Sequence, residues 1–130
     1  MIDRIDHFVL TVRSLEESCR FYQRVLGFER LDAPGRPTAL KFGGQKINLH
    51  EVGHTFEPKA SAPTPGAGDF CLITNDPIAQ IHVHLLACGI AVETGPVARE
   101  GAQGPMTSLY FRDPDGNLVE VSHYDAPSAK

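Results

Sequence analysis

The feature that most constrains this chain is an internal repeat. Ser14 and Asp76 each stand where a helix should begin, and Gly27 and Gly89 where one should end; both pairs are 62 residues apart. The same offset lays Phe8 on Phe70 and His7 on Asp69. Late in each half, Phe42 matches Phe111 at an offset of 69 and His50 matches Glu120 at 70, the added residue falling in Asp113-Pro-Asp-Gly116. Two helix starts, two helix stops and two hairpins in common phase are the mark of a duplicated unit.

Local pattern supplies the elements. Residues 5–12 read as a strand, with Phe8, Leu10 and Val12 on one face and His7, Val9 and Thr11 on the other. Ser14 and Glu17 fit a capping box. The helix behind them carries Leu15, Cys19, Tyr22 and Leu26 at helical spacing and stops at Gly27. Strands follow at 28–31, 38–42 and 46–51, with Gly43-Gly44 as a turn. Residues 53–66 hold Gly, Pro, Ala and Thr without periodicity, the character of a linker. The second half opens with a strand at 70–74. Asp76-Pro77 then starts a helix with the stripe Ile78, Ile81, Leu85 and Cys88. Strands at 90–93, 108–111 and 118–123 complete it, the last two joined by the turn signal Asp113-Pro-Asp-Gly116. The expected fold is α+β: tandem βαβββ modules in one domain over 1–130, with module one at 1–52, the linker at 53–66 and module two at 67–130, forming a curved mixed sheet with a cleft.

Composition narrows the partners. The net charge is −4 and no basic run occurs, which argues against nucleic acid. No apolar stretch reaches transmembrane length. The N-terminus runs directly into a strand pattern, so no signal peptide is expected. Cys19, Cys71 and Cys88 are an odd number without CxxC spacing, which suits a reduced, cytoplasmic protein. A chain of 130 residues can bury a core without metal or disulfide staples, so a metal here would serve function.

A βαβββ module covers one sheet face with its helix and leaves the other bare. The residues expected on the bare faces are those that alternate with the helix-facing apolar positions. They are His7, then Asn48 and His50, from module one, and Asp69 and Cys71, then Leu118, Glu120 and Ser122, from module two. Four potential ligands, His7, His50, Asp69 and Glu120, thus occupy two pairs of repeat-equivalent places. Imidazole and carboxylate suit Fe(II), Mn, Ni, Co and Zn, and two histidines with one carboxylate leave positions open for water and substrate. The expected metal ligands are His7, His50 and Glu120. Glu120 lies among Leu118, Val119 and Val121 and there needs a cation, a proton or exposure. Glu51 would replace His50 if the register slipped by one. Asp69 is open between a fourth ligand, a partner orienting a histidine and a solvated residue; unligated, it could act with Glu120 as a catalytic base. Cys71 reads as a reactive or a packed thiol, and Cys19 and Cys88 as core. His82 and His84 are two apart on a helix and do not face each other; they and His54 read as solvated or packed. His123 faces away from Glu120. No GxSxG, P-loop or dinucleotide fingerprint is present.

Three stretches carry a family resemblance: Ile5-Asp-His7-Phe-Val-Leu, the helix Ser18-Cys-Arg-Phe-Tyr22 ending at Leu26-Gly27-Phe28, and Phe111-Arg-Asp-Pro-Asp-Gly-Asn-Leu-Val-Glu120-Val. Together they resemble the vicinal oxygen chelate superfamily, which includes glyoxalase I, fosfomycin-resistance proteins, extradiol dioxygenases and bleomycin-resistance proteins. Asn48-Leu-His50-Glu-Val and Phe56-Glu-Pro-Lys-Ala60 further resemble a group of glyoxalase-domain proteins. The resemblance implies a divalent metal ion on the module-opening and module-closing strands, with His7 matching the first-strand ligand and Glu120 the final glutamate. It also exposes two departures. His50 sits where glyoxalase I carries glutamate, and Asp69 where glyoxalase I and the fosfomycin enzymes carry histidine. The resemblance implies a small-molecule substrate with vicinal oxygens, a homodimer that could exchange modules between chains, and a lyase or transferase of glyoxalase type. The alternatives it leaves are an Fe(II) extradiol-type dioxygenase and a metal-free, drug-sequestering binding protein.

Overall fold

The computed structural model describes residues 1–126. The element order is β1 (His7–Val12), α1 (Leu15–Leu26), β2 (Glu29–Leu31), β3 (Thr38–Phe42), β4 (Gln45–Glu51), β5 (Asp69–Ile73), α2 (Ile78–Ala87), β6 (Thr94–Gly101), β7 (Gly104–Arg112) and β8 (Leu118–Tyr124). The strands form two four-stranded sheets, ordered β1-β4-β3-β2 and β5-β8-β7-β6. The second order repeats the first strand for strand. In each sheet the module's first and last strands pair in parallel and the remaining pairs are antiparallel. The expected α+β fold of two βαβββ modules is what the chain adopts.

The chain divides into two compact units. Unit 1 comprises Met1–Gly68 with Asp113–Asn117, and unit 2 comprises Asp69–Arg112 with Leu118–Lys130. In unit 1, α1 packs on β2, β3 and β4. Its buried residues Cys19, Tyr22 and Val25 meet Leu40, Ile47 and Leu49 in the core, each large aliphatic side chain contributing about 1.5–3 kcal/mol. Tyr22 stacks on Phe28 at 5.6 Å, and Phe28 on Phe42 at 4.4 Å. Ser14 is the N-cap of the helix, its Oγ accepting from the Glu17 amide at 3.2 Å, the Ser14 half of the expected capping box. A second cap comes from 36 residues away: Glu51 Oε2 accepts from the Leu15 amide at 2.7 Å, a carboxylate at the positive end of a helix. Gly27 closes the helix at φ 69°, where a side chain would be strained. In unit 2, α2 packs on β7, and Ile78, Leu85, Leu109, Phe111, Val119 and Val121 form the core.

Two local expectations are corrected. The N-cap of α2 is Pro77, in extended conformation, and not Asp76, whose amide instead bonds Thr74 Oγ1 at 3.0 Å. The sixth strand runs over Thr94–Gly101 rather than 90–93. This strand contains Gly95 and Pro96, and β6 is an edge strand with a register irregularity between Thr94 and Val97, the setting in which a sheet accepts both residues.

Candidate functional site

Unit 1 holds a pocket of about 210 Å³ against the face of its sheet that α1 does not cover. Alternation along β4 sends Ile47 and Leu49 to the core and Asn48 and His50 to the other face. There Thr11 lies opposite His50 and Val9 opposite Asn48. Val9, Thr11 and His50 line the pocket on the strand side, and Lys59, Ala60, Pro63, Thr64 and Ala67 line it from the aperiodic segment. On this wall Val9 is 45% exposed and His50 only 4% exposed. The Phe56 ring stands 5.6 Å from the His50 ring.

His50 Nδ1 is buried and has no hydrogen-bond partner among the described residues, and the same holds for Asn48 Oδ1. A buried polar atom left unpaired costs about 1–3 kcal/mol. An imidazole kept in that state on a pocket wall is the arrangement expected of a group that meets a ligand. The far end of the segment is anchored by Asn117, whose Oδ1 accepts from the Gly68 amide at 2.7 Å. A Cβ at Gly68 would stand 2.8 Å from both Asn117 Oδ1 and Leu10 Cδ2, so this close approach needs glycine.

Asn117 is in turn fixed by a buried carboxylate. Asp113 Oδ1 accepts from the amides of Asp115 and Asn117, both at 2.9 Å, and Asp113 Oδ2 accepts from Asn117 Nδ2 and from the Tyr22 hydroxyl, both at 2.8 Å. Burial, and then the Asp113 carboxylate, push the Tyr22 phenol far above its usual range, so it stays a donor. Asp115 Oδ1 accepts from the Arg13 amide at 3.0 Å, and its other oxygen from Ser18 Oγ at 3.4 Å. The turn read as a hairpin signal is thus a buried part of unit 1 that sets one wall of the pocket.

His7 lies at the exposed start of β1, its Nδ1 2.8 Å from Asp6 Oδ1. It is opposite Lys46, whereas His50 is opposite Thr11, four residues further along the paired strands. At about 3.3 Å per residue this separates them by roughly 13 Å along the sheet. Unit 1 therefore does not bring His7 and His50 together. Glu51, the alternative to His50, faces the other way and caps α1.

In unit 2, Glu120 is opposite Cys71 and Asp69 opposite Leu118, all on the face away from the buried Val119 and Val121. Ser122 is the node of this face. Its Oγ donates to Glu120 Oε2 at 3.1 Å and lies 2.6 Å from Ser108 Oγ and 3.2 Å from Cys71 Sγ. Cys71 is exposed, not packed, and partial burial and the Glu120 charge raise its thiol pKa while the Ser122 bond lowers it. Asp69 is exposed and its charge acts on Arg112, which is ion-paired with Glu93. His123 bonds the Thr74 carbonyl at 3.1 Å, on the opposite face from Glu120. Cys19 is buried as expected; Cys88 is only half-buried, at the end of α2.

For a divalent ion, unit 1 thus offers one buried imidazole with an unpartnered nitrogen, His50, and unit 2 offers one half-buried carboxylate, Glu120. Both are donors that such ions accept. Among the described residues, no group of three or more His, Cys, Asp or Glu stands ready to hold one. Lys59, Thr64 and Asn117 were not foreseen as pocket residues. Asn117 and Lys59 each lie in a stretch that carries the family resemblance, 111–121 and 56–60.

Residues 4–121 match the family described as the Glyoxalase/Bleomycin resistance protein/Dioxygenase superfamily. The chain is 52% identical over 124 residues to the virulence protein STM3117 of Salmonella typhimurium, covering 95% of this chain and 86% of that one. The crystal structure of that protein superposes with a TM-score of 0.94, covering 96% of this chain and 99% of the other. The glyoxalase domain-containing protein RDO1 of Mycosarcoma maydis is 48% identical over 120 residues, covering 92% of this chain and 68% of that one. The lactoylglutathione lyase of Agrobacterium tumefaciens is 28% identical, with a TM-score of 0.73 and 95% of each chain covered.

Proposed function

We propose that the chain, which belongs to the Glyoxalase/Bleomycin resistance protein/Dioxygenase superfamily, is a divalent-metal-dependent, glyoxalase-like enzyme whose small substrate, bearing vicinal oxygens, enters the pocket beside His50. The observation that carries this reading is His50 itself, a 4% exposed imidazole on the pocket wall with an unpartnered Nδ1. The likeness to a lactoylglutathione lyase supports the reaction class. Such an ion, when bound, polarises substrate oxygens as a Lewis acid. Within unit 1 the residue proposed to hold such an ion is His50, and within unit 2 the donor of the same kind is Glu120. Val9, Ala60 and Pro63 give the substrate an apolar wall, and Thr11 and Thr64 supply hydroxyls that orient it. Asp69, on the same face of its sheet as Glu120, is the base that unit 2 offers.

The test uses Co²⁺ as the ion and acetohydroxamate as a small chelating pair of vicinal oxygens. Wild-type protein loaded with Co²⁺ should change its visible spectrum on adding acetohydroxamate. His50→Ala and Glu120→Gln should each remove that response, with folding checked by circular dichroism. A hydroxamate response that survives both substitutions refutes the proposed ligands. Binding of hydroxamate that is indifferent to metal would instead make this a metal-free binding protein.

A further inference from the structure

The outer part of α2 carries a pair that plays no part in the proposed reaction. His84 and Cys88 are four residues apart on this helix, so they lie on one face. Helical backbone continues through Cys88, whose amide bonds the His84 carbonyl at 3.0 Å, and this holds the two side chains in register. His84 Nε2 and Cys88 Sγ are 3.6 Å apart. A tetrahedral zinc ion with Zn–S about 2.3 Å and Zn–N about 2.05 Å spaces its sulfur and nitrogen ligands by about 3.6 Å. The bite of the pair is already that of the ion.

From this match we infer that His84 and Cys88 form a two-point site for zinc or a metal of similar softness. Imidazole and thiolate are the donors such metals prefer. Binding replaces the contact between thiol and imidazole: the S–H bond breaks, a Zn–S bond forms, the imidazole Nε2 lone pair joins the ion, and the thiol proton leaves to water. Uptake therefore tightens as pH rises. Among the described residues no third His, Cys, Asp or Glu joins the pair. Water or an added ligand completes the tetrahedron. His82, two positions from His84, points elsewhere on the helix and is not a ligand.

The experiment is a Co²⁺ titration of the reduced full-length chain, followed by thiolate-to-cobalt charge-transfer absorption in the near ultraviolet, with Zn²⁺ added to displace it. Wild type, His50→Ala, His82→Ala and Cys71→Ser should all show the band, and Zn²⁺ should abolish it. Cys88→Ser should lack it, and His84→Ala should need about tenfold more Co²⁺ or beyond, since even losing a residue that only supports a ligand costs that much. No band in the wild type, a band that persists in Cys88→Ser, or one lost in Cys71→Ser overturns the site. The His50→Ala arm keeps this result separate from the proposed reaction.

Discussion

Replacing Tyr22 with Phe tests whether the turn at 113–117 is part of the body of unit 1. The hydroxyl donates to Asp113 at 2.8 Å, and both side chains are buried. The ring, its stack on Phe28 and its volume survive the change, so the loss is one hydrogen bond to a charged acceptor, about 2 kcal/mol. Unfolding entropy of about 2.1 cal/mol/K per residue over 130 residues converts this to a fall of about 7 °C in the melting midpoint. Asp113→Ala should cost more, because it strands the Tyr22 hydroxyl, the Asn117 side-chain amide and two backbone amides at once. The pH dependence has a definite sign. The folded phenol titrates above its ordinary value of 10.0, so its stabilisation is complete below that pH and declines above it. The gap between wild type and Tyr22→Phe should therefore narrow in strong alkali. Thermal melts of the two proteins at pH 7 and in alkali make the measurement. A shift under about 2 °C at pH 7, with no coupling to Asp113→Asn in a double-mutant cycle, would refute the claim that this bond holds the turn to α1.

His50→Leu should stabilise the protein by about 1 kcal/mol in urea unfolding, because it removes an unpaired buried nitrogen without opening a cavity, while it abolishes the hydroxamate response; a destabilised variant would mean that Nδ1 is satisfied in solution. Glu51→Ala should cost about 1 kcal/mol by stripping the Leu15 amide at the start of α1, seen as faster hydrogen exchange in the first turn of that helix. Alkylation of Cys71 by iodoacetamide, followed against pH by mass spectrometry, should show a thiol titrating above its ordinary value of 9.0. Glu120→Gln should lower that midpoint and Ser122→Ala should raise it, and opposite shifts would break the Ser122-centred arrangement. The same raised thiol contributes stability below about pH 9 that is lost as pH rises through its folded value.

What could be read in the chain followed from short-range pattern, and what could not came from contacts between distant segments. The repeat placed both helices and seven of the eight strands, because phase agreement between two copies constrains more than either copy alone. It misplaced β6, since Gly95 and Pro96 carry a local meaning that only an edge position overrides. Alternation along β4 put His50 on the face away from α1, but nothing local could say that an aperiodic segment would line a pocket with it, for such a segment has no period from which to read a face. The acidic residues teach the same lesson. Glu51 read as a rival ligand because only sequence neighbours were in view, while its partner amide lies 36 residues away; Asp113 and Asp115 read as a turn because the turn is local and their burial is not. The pair on α2 is the contrary case. His84 and Cys88 stand four apart, the spacing that joins side chains on a helix, and the sequence alone contained it. Comparing histidine with histidine, two apart, hid it. A helical metal pair is defined by the spacing of unlike donors, and that spacing is also what makes the 3.6 Å bite possible.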